Sequence, residues 1–552
     1  MLACIPRVSS GQTPAQPTAI ESIKESFDRK HWQRVVDLAR GQPTGDADID
    51  YYQGVALAQL GQWEAARTIL LRGRGLWPRD ARFPVELGGV TFKLKRYAEA
   101  ARWLRRGLYL NPGDAYAIDF LATIYYLQGN LEAALEYWNR IGKPRIGGVQ
   151  LEPALRLDPV LLDSAFTFAH GGTLSLSDLL TTRARVRGLG IYPSFDLRLN
   201  ARQDGAFDVA FNAIERNGWG KSTVEGVIST LRGIGYQTVF PEYFNAGGSA
   251  INVTSLVRWD AQKRRLMAGV SAPLSGGSRY RFQAGVDGRN ENWDLRPSFT
   301  GPAPILGSLN LRRTAVSGNV TSFRAGGWSW STGTELSHRD YRNVSAGPGL
   351  PREVLLEGYQ LKSITQLDHD LWRMPIHRFE SRAHVSSETA RIWSAPAHAF
   401  ERLQGSVTSL WLPQMSGDDY AISQQFSAGR IFGRAPFDEL YMLGLERDND
   451  LWMRAHIGTR GGRKGSAPLG QNYFVSNWEM DKKIYSGIFG IKLSPFLDTG
   501  KSTDSLPGLG SGKWLWDTGV QAKIRVLGVG FRVVYGKDLR SGNNAFYLMA
   551  GR

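Results

Sequence analysis

The spacing of apolar residues changes about a third of the way along the chain. Between residues 50 and 140, small and large apolar residues recur with helical spacing and a repeat of 34 positions. From residue 220 to residue 552, apolar and polar residues instead alternate over short runs rich in Gly, Trp, Tyr and Phe. The first pattern predicts paired helices, and the second predicts two-faced β-strands. The chain therefore combines a helical part with a large antiparallel β part.

The helical part repeats small and aromatic residues at fixed positions. The positions that we assign to the core of the repeats are Gly54, Trp63, Ala66, Gly88, Tyr97, Ala100 and Ala134. Small residues let the two helices of a repeat approach closely, and an aromatic residue fills the gap between them. The spacing resembles the tetratricopeptide repeat, a helix–turn–helix unit of 34 residues. We therefore predict an α-solenoid over residues 19–146, and the resemblance implies a concave groove that holds a peptide or protein segment.

A small α/β module is predicted between the two parts, at residues 155–216. Residues 165–168 and two later segments have strand patterns, and residues 176–187 have one helical face. This order resembles a POTRA (polypeptide-transport-associated) domain. The resemblance implies that client polypeptides add an extended segment to a sheet edge, which needs little sequence specificity. We place this client-pairing strand at residues 207–214, with Phe207, Val209 and Phe211 on it. A structured spacer is the alternative.

The β part has the pattern of a closed membrane barrel. It contains about 16 candidate strands, a number typical of such barrels, with the first near Val224 and the last near Phe546. No run of about 18 apolar residues predicts a spanning helix, but alternating strands do not produce such a run. Closure is expected because lipid cannot satisfy an unpaired sheet edge. The predicted fold is thus multidomain α + β, with a transmembrane antiparallel barrel at residues 220–552.

Four segments of the β part resemble motifs of one family. They are residues 243–247 (YFNAG), 473–479 (YFVSNWE), 496–500 (FLDTG) and 526–532 (VLGVGFR). They resemble motifs of the Omp85 superfamily, also called the bacterial surface antigen or outer-membrane assembly factor family. The resemblance implies a barrel that inserts or translocates polypeptides at the outer membrane without a nucleotide.

The same resemblance implies a loop that folds back into the barrel lumen and carries an arginine opposite acidic residues. Arg454 stands at this position in the segment 453–456 (MRAH), and Glu479 and Asp498 are the matching acids. A guanidinium suits a narrow polar lumen because its fixed fork of donors binds carboxylates in a bidentate manner. We therefore predict that the three side chains meet.

The loop departs from the family motif at two positions. Ala455 replaces a glycine and His456 replaces an aromatic residue, so the backbone conformation of the loop is an open point of the prediction. Arg460 and Arg463 are competing candidates for the lumen arginine. An exposed position for Arg454, as in an ordinary loop, is the remaining alternative.

Composition and charge narrow the chemistry further. The net charge of +16 comes from scattered basic residues without a nucleic-acid motif, so we predict no nucleic-acid partner. The eight histidines have no metal-ligand spacing, and no nucleophile motif is present, so we predict no enzyme activity, metal or other cofactor. The single Cys4 excludes an intramolecular disulfide. Residues 1–18 look like the end of a signal peptide and are expected to be disordered or removed.

These observations predict a bacterial outer-membrane protein with its N-terminal domains in the periplasm. We expect it to assemble, insert or translocate polypeptides, with outer-membrane lipid and periplasmic or client polypeptides as partners and the repeats docking one of them. The alternatives are a passive exporter of polysaccharide or small molecules and a repeat scaffold anchored by a barrel. Short turns such as residues 261–262 are expected on the periplasmic side, and the long segments 341–355 and 457–471 outside or in the lumen.

Overall fold

The computed structural model describes residues 18–42, 45–297, 303–345, 347, 350–487, 489–506, 508–526 and 529–551. The predicted leader, except Thr18, and residues 527–528 of the last motif lie outside these residues. The chain forms two compact units, Met1–Gly142 and Lys143–Arg552. Within the described residues, no helix has the length and apolar character needed to cross a membrane.

The first unit is helical throughout its described part. Its α-helices pack against one another in chain order. They are α1 Ala19–Asp28, α2 Trp32–Arg40, α3 Ala47–Gln59, α4 Trp63–Leu76, α5 Arg82–Lys93, α6 Tyr97–Leu110, α7 Ala115–Leu127 and α8 Leu131–Trp138. Side-chain caps fix several starts: Asp114 accepts a hydrogen bond from the Ala117 amide at the start of α7, for example.

The repeat glycines allow the two helices of a repeat to touch. A Cβ on Gly54 would lie 2.5 Å from Leu70 Cδ2, and a Cβ on Gly88 would lie 2.6 Å from Leu104 Cγ. The predicted alanines are all fully buried; they are Ala66, Ala100 and Ala134. The aromatic position is less enclosed, because Trp63 packs on the core only partly buried and Tyr97 is 39% exposed.

We expect Gly54→Val to destabilise the isolated helical unit, residues 18–142, by about 1–3 kcal/mol, the usual cost of overpacking a core. The added side chain would collide with Leu70, which is fully buried. Gly75 has no atom within 4 Å of its Cβ position, so Gly75→Val is the matched control and should change stability little. Urea denaturation followed by circular dichroism measures both variants, and equal midpoints would contradict the repeat packing.

The second unit begins with a module of one three-stranded sheet and two helices. The strands of this sheet lie in the order β1–β3–β2. The strands are β1 Ile146–Glu152, β2 Ser194–Ala201 and β3 Phe207–Ile214, and the helices are α9 Pro159–Asp163 and α10 Leu176–Gly188. Strand β1 runs parallel to β3, whereas β2 is antiparallel to it. The POTRA-like module predicted at residues 155–216 therefore includes β1 as well, and residues 165–168 are not a strand.

The predicted client-pairing strand lies in the centre of this sheet. Phe207, Val209 and Phe211 belong to β3, which has register partners on both sides. The prediction that this strand offers a free edge is wrong, because both of its edges are already used. The sequence pattern did not reveal β1, whose two adjacent glycines weaken the strand signal. Strand β2 lies at an outer edge instead.

The rest of the second unit contains a closed barrel with eighteen strands in its strand order. Sixteen of them form the wall, fourteen with eight or more residues, and the other two are short strands of an inner segment. The wall consists of β4 Thr238–Val239, β5 Glu242–Ala246, β6 Ile251–Trp259, β7 Lys263–Pro273, β8 Tyr280–Leu295, β9 Gly307–Ala325, β10 Trp328–Ser345, β11 Gly358–Met374, β12 Phe379–Trp393, β13 His398–Trp411, β14 Tyr420–Gly433, β19 Asn472–Ser486, β20 Phe489–Thr503, β21 Leu515–Val526, β22 Val529–Asp538 and β23 Asn544–Gly551. The segment between β14 and β19 contains the four short strands β15 Tyr441–Met442, β16 Thr459–Arg460, β17 Arg463–Lys464 and β18 Leu469–Gly470.

The wall strands carry polar residues on the inner face and apolar residues on the outer face. On β11, Leu361 is 46% exposed, whereas its neighbours Gln360 and Lys362 are 0% and 5% exposed. Because successive side chains of a strand point to opposite faces, this alternation gives an apolar exterior and a polar lumen. The barrel thus has the surface of a membrane-spanning barrel, as the sequence pattern predicts.

A helix, α11 Thr223–Leu231, occupies the place predicted for the first barrel strand. The Ser222 hydroxyl caps it by accepting a hydrogen bond from the Glu225 amide. The apolar residues Val224, Val227 and Leu231 are spaced for one face of a helix, and all three are exposed. The prediction of a strand near Val224 is therefore wrong, and the barrel sheet begins at β4 and β5.

The POTRA-like module is attached to one rim of the barrel. The Arg281 guanidinium, at the start of β8, donates to the carbonyls of Gly188 and Leu189 at 2.9 and 2.7 Å. The turn before β6 also lies on this rim, since the Gly248 carbonyl accepts a hydrogen bond from Asp158. Strand β6 therefore ends at the opposite rim. Residues 261–262 follow β6 and lie at the rim opposite the module, so this turn and the module cannot both be on the periplasmic side as predicted.

Candidate functional site in the barrel lumen

The segment between β14 and β19, residues 434–471, folds back inside the barrel, and we call it the lumen loop. Two short ladders give it shape, β15 with β18 and β16 with β17. Lys464 on β17 is in register with Trp293 of the wall strand β8. Several apolar side chains of the loop are fully buried, namely Leu443, Leu445, Met453 and Ala455.

Arg454 of the lumen loop meets both acids predicted for it. Its Nε and Nη2 atoms donate to the two carboxylate oxygens of Asp498 at 2.9 and 2.7 Å, and its Nη1 donates to Glu479 Oε2 at 2.5 Å. The side chain of Arg454 is 3% exposed. This is the bidentate geometry for which a planar guanidinium is suited. The structure therefore brings the predicted trio together, on the lumen loop and the inner faces of β19 and β20.

Further contacts hold this arrangement in place. The Arg454 guanidinium lies over the ring of Phe496 at 3.8 Å, which adds a cation–π contact. Asn477 donates to Asp498 at 2.8 Å, and Lys523 forms an ion pair with Glu479. Each carboxylate thus has a second partner besides Arg454. These contacts surround the guanidinium with two carboxylates and an aromatic ring.

The two departures from the family motif are accommodated by the facing wall strands. The Ala455 amide donates to Asp517 Oδ2 at 2.7 Å. His456 also contacts Asp517, with 3.0 Å between Nδ1 and Oδ2. The loop backbone passes very close to β22, because a Cβ on Gly536 would lie 2.6 Å from the Arg454 carbonyl oxygen. The glycine that permits this close approach is therefore Gly536 of the wall, and it lies opposite the loop.

A second anchor of the lumen loop lies on the other side of the barrel. Asp448 forms ion pairs with Arg258 and Arg265, each at 2.8 Å, and with Lys464 at 3.4 Å. Glu446 pairs with Lys263 at 3.4 Å. Sequence reasoning missed this anchor, although three acidic or basic residues stand together at positions 446–448. It ties the loop to the inner faces of β6 and β7.

A third anchor ties the start of the lumen loop to β10 and β11. The Arg339 guanidinium, fully buried, donates to Asp438 at 2.8 Å and to Glu439 at 3.1 Å. Lys362 pairs with Glu439 at 2.8 Å. These acids were also missed, because only the strand register shows which wall cations face them. The loop is therefore fixed to three separate sectors of the wall.

The competing candidate arginines do not replace Arg454. Arg463 pairs with Asp294 at 3.0 Å, and its side chain remains 41% exposed. Arg460 belongs to the short ladder of β16 with β17. Neither contributes a described contact to Glu479 or Asp498. The alternative of an exposed Arg454 is excluded by its burial.

Arg447 extends from the lumen loop to the place where the wall begins and ends. The strand order of the barrel closes with β23 next to the first strands, and we call this junction the seam. Register pairs join β23 to β22 and join β4 and β5 to β6, but among the described residues no register pair links β23 to β4, β5 or β6. The Arg447 guanidinium lies 3.9 Å from the ring centre of Tyr236, just before β4, and 5.4 Å from that of Tyr547 on β23. It therefore contacts both sides of the seam.

Comparison with known proteins gives structural similarities only. No family model and no curated protein matches the chain. The chain is similar to BamA from Haemophilus ducreyi lacking POTRA domains 1–3, with 12% identity, 74% of this chain and 84% of that chain covered, and a TM-score of 0.42. It is similar to CdiB from Escherichia coli with 14% identity, coverage of 74% and 75%, and a TM-score of 0.48. For MamA the identity is 20%, the coverage 22% and 74%, and the TM-score 0.22. At these scores the likeness carries no conclusion about function.

Proposed function

We propose that this protein inserts or translocates polypeptides at the bacterial outer membrane, with its N-terminal domains in the periplasm. The observation that carries the proposal is the seam. The strand order closes with β23 beside β4, but the described residues show no register pair between these two strands, so we take this junction as the place where strand edges open to an incoming chain. An extended client segment can pair with such an edge and leave sideways into lipid, and no nucleotide is needed for this step.

The lumen loop supports this proposal over passive export. Ion pairs at Arg454, Asp448 and Glu439 tie the loop to three sectors of the wall. A passive exporter of polysaccharide or small molecules needs a wide and open lumen. A loop that is buried and fixed in this way narrows the lumen instead. The described lumen therefore favours a sideways route through the seam.

The outer strand of the POTRA-like sheet is the proposed client edge, in place of β3. Strand β2 has register partners only in β3 among the described residues, so its outer edge is available. A groove of about 450 Å³ runs beside it and is lined by Arg183 and Arg187. Burial is the main cause that lowers the pKa of Arg187, and the neighbouring Arg183 adds to it. Asp196 of β2 also lines the groove. An acidic segment or a C-terminal carboxylate of a client fits this groove.

The helical unit is proposed to dock a client or a partner protein in its concave face. Its buried cores are complete without the barrel, since consecutive helices cover one another. Repeat stacks of this kind present an extended surface that binds peptides. A scaffold whose barrel is only an anchor would retain this docking but would not use the seam.

A reconstitution experiment tests the proposed function. We expect the protein in lipid vesicles to speed the insertion of an unfolded outer-membrane barrel polypeptide at least about tenfold over empty vesicles, which is about 1.4 kcal/mol of barrier. A photo-crosslinker in place of Arg198, on β2, should capture this client. The same crosslinker in place of Asn212, on the central β3, is the control.

Two results would contradict the proposal. One is a steady ion conductance or a sugar flux through the vesicle-bound protein without any increase in client insertion, which would support the passive exporter. The other is equal crosslinking from β2 and β3, which would mean that the β2 edge is not a client site.

A further inference from the structure

Three buried side chains meet where the lumen loop lies against β21 and β22. They are His456 of the loop, Asp517 of β21 and Asp538 at the end of β22, and one ligand atom of each lies within 4.8 Å of the others. Asp517 and Asp538 are direct register partners on adjacent strands. Their exposures are 0% and 1%, and that of His456 is 1%. Two carboxylates directly opposite each other in a sheet repel, so this pair calls for a cation between them.

The ring of His456 is oriented for metal binding. Its Nδ1 is 3.0 Å from Asp517 Oδ2. Because a carboxylate oxygen accepts, Nδ1 carries a proton, and in the neutral imidazole Nε2 then has a free lone pair. In the part of the chain that the structure describes, Nε2 has no hydrogen-bond partner, and neither has Asp517 Oδ1. Nε2 lies 3.8 Å from Asp538 Oδ2. A buried ring nitrogen that makes no hydrogen bond and faces a carboxylate needs a physical explanation, and a shared cation supplies one.

The spacing fits one small divalent ion. Bonds from Zn²⁺ to imidazole nitrogen and to carboxylate oxygen are about 2.0–2.2 Å long. Two ligand atoms 3.8 Å apart can therefore share one ion, because their separation is shorter than the sum of the two bonds, about 4.1 Å. Water is left for the remaining positions, because Asp517 contacts Nδ1 on the other side of the imidazole ring. Asp538 also accepts from Arg540 N and Ser541 Oγ, which holds its carboxylate in place.

The charges around the cluster favour a cation as well. Asp498, Asp517 and Asp538 are register neighbours on three adjacent strands and form a buried row of carboxylates. Arg454 binds Asp498 and shares its charge with Glu479. His456 is therefore the group of the loop that faces the other two acids, with Arg540 close enough to act on its charge.

We propose that His456, Asp517 and Asp538 bind a divalent transition-metal ion of the Zn²⁺ class. His456 Nε2 and Asp538 Oδ2 are the direct ligands, and Asp517 orients the imidazole from Nδ1. Nitrogen and oxygen ligands of this kind suit Zn²⁺ and its neighbours, whereas Ca²⁺ and Mg²⁺ prefer oxygen alone. The ion cross-links the lumen loop to β21 and β22, next to the Arg454 anchor. This inference is independent of the proposed function.

Metal binding by the full-length protein in detergent tests the proposal. After removal of metals with a chelator, we expect one Zn²⁺ per chain by calorimetric titration and by elemental analysis of the dialysed protein. His456→Gln and Asp538→Asn should abolish this stoichiometric binding. Asp517→Asn should weaken the affinity about 10–100-fold, the usual effect of losing the group that orients a metal-bound histidine.

His384→Gln is the matched control, because His384 also has its Nδ1 3.0 Å from an aspartate, Asp368, but is one-third exposed. It should leave Zn²⁺ binding unchanged. Absence of Zn²⁺ uptake by the wild type, or equal uptake by the His456 and Asp538 variants, would overturn the proposal. A protonated imidazole would then bridge the two acids.

A variant that fails to fold loses the heat-dependent gel mobility typical of intact barrels. A second measurement, which uses only the wild-type protein, tests the proposal in that case. The wild-type protein loaded with Co²⁺ should show X-ray absorption scattering from one imidazole in the coordination shell. A shell with oxygen ligands only would overturn the proposal even without any variant.

Discussion

Replacing Arg454 by alanine is expected to lower client insertion at least about tenfold while leaving the amount of folded barrel nearly unchanged. The variant leaves Asp498 and Glu479 facing each other without the guanidinium that now lies between them. Removing one partner of a buried ion pair lowers stability by about 3–5 kcal/mol. We expect this loss to destabilise mainly the lumen loop. The wall keeps its ladders, because Arg454 forms none of them. Insertion into vesicles and heat-dependent gel mobility measure the two effects separately.

The control for this variant lies in the same loop. Arg463→Ala also removes an arginine–aspartate pair, but Arg463 is 41% exposed, and exposed pairs contribute only about 0–1 kcal/mol. It should therefore keep nearly all activity. Arg454→Lys should restore activity only in part, because an ammonium group cannot make the bidentate bond to Asp498. Equal losses at Arg454 and Arg463, or full activity of Arg454→Ala, would reject this site.

The sequence predicted those parts of the molecule in which local spacing and tertiary contact agree. Gly54 and Ala66 occupy positions that recur along the sequence, and both lie at the buried contact between helices. The repeat could therefore be predicted from the sequence. Arg454 was found through a motif, and a guanidinium in a polar lumen has few partners other than carboxylates. The alternation on β11 was likewise enough to separate an outer from an inner face.

The elements that the sequence did not predict correctly depend on contacts that the local spacing of residues does not determine. Residues 223–231 carry apolar residues that suit either a strand or a helix, and the Ser222 cap decides for the helix. Strand β1 is parallel to β3, and its register partners are 60 or 61 positions away along the chain, so no local turn indicates the pairing. Asp517 and Asp538 are 21 positions apart, and only the register of β21 with β22 brings them opposite each other and under His456. Long-range register cannot be read from the spacing of residues along one segment.

The second prediction with a large expected effect concerns Arg447 at the seam. Arg447→Ala is expected to widen the separation between β23 and the first strands, because the guanidinium contacts Tyr236 and Tyr547 across a junction without described register pairs. Each such contact is worth about 0.5–2 kcal/mol. Loss of both shifts the balance toward an open seam by a factor of about 5 or more, since about 1.4 kcal/mol is tenfold. Spin labels at Leu548 and Val253, both exposed on the outer face, report the distance by pulsed electron resonance.

The control for the seam experiment is another arginine stacked on a ring. Arg430 lies 4.9 Å from the ring centre of Phe432, on the same strand β14, and does not cross the seam. Arg430→Ala should therefore leave the distance between the labels unchanged. The same result for Arg447→Ala would mean that the lumen loop does not hold the seam. A wider distance only in Arg447→Ala would instead connect the two parts of the proposed mechanism, because a client that displaces the lumen loop would then also release the seam.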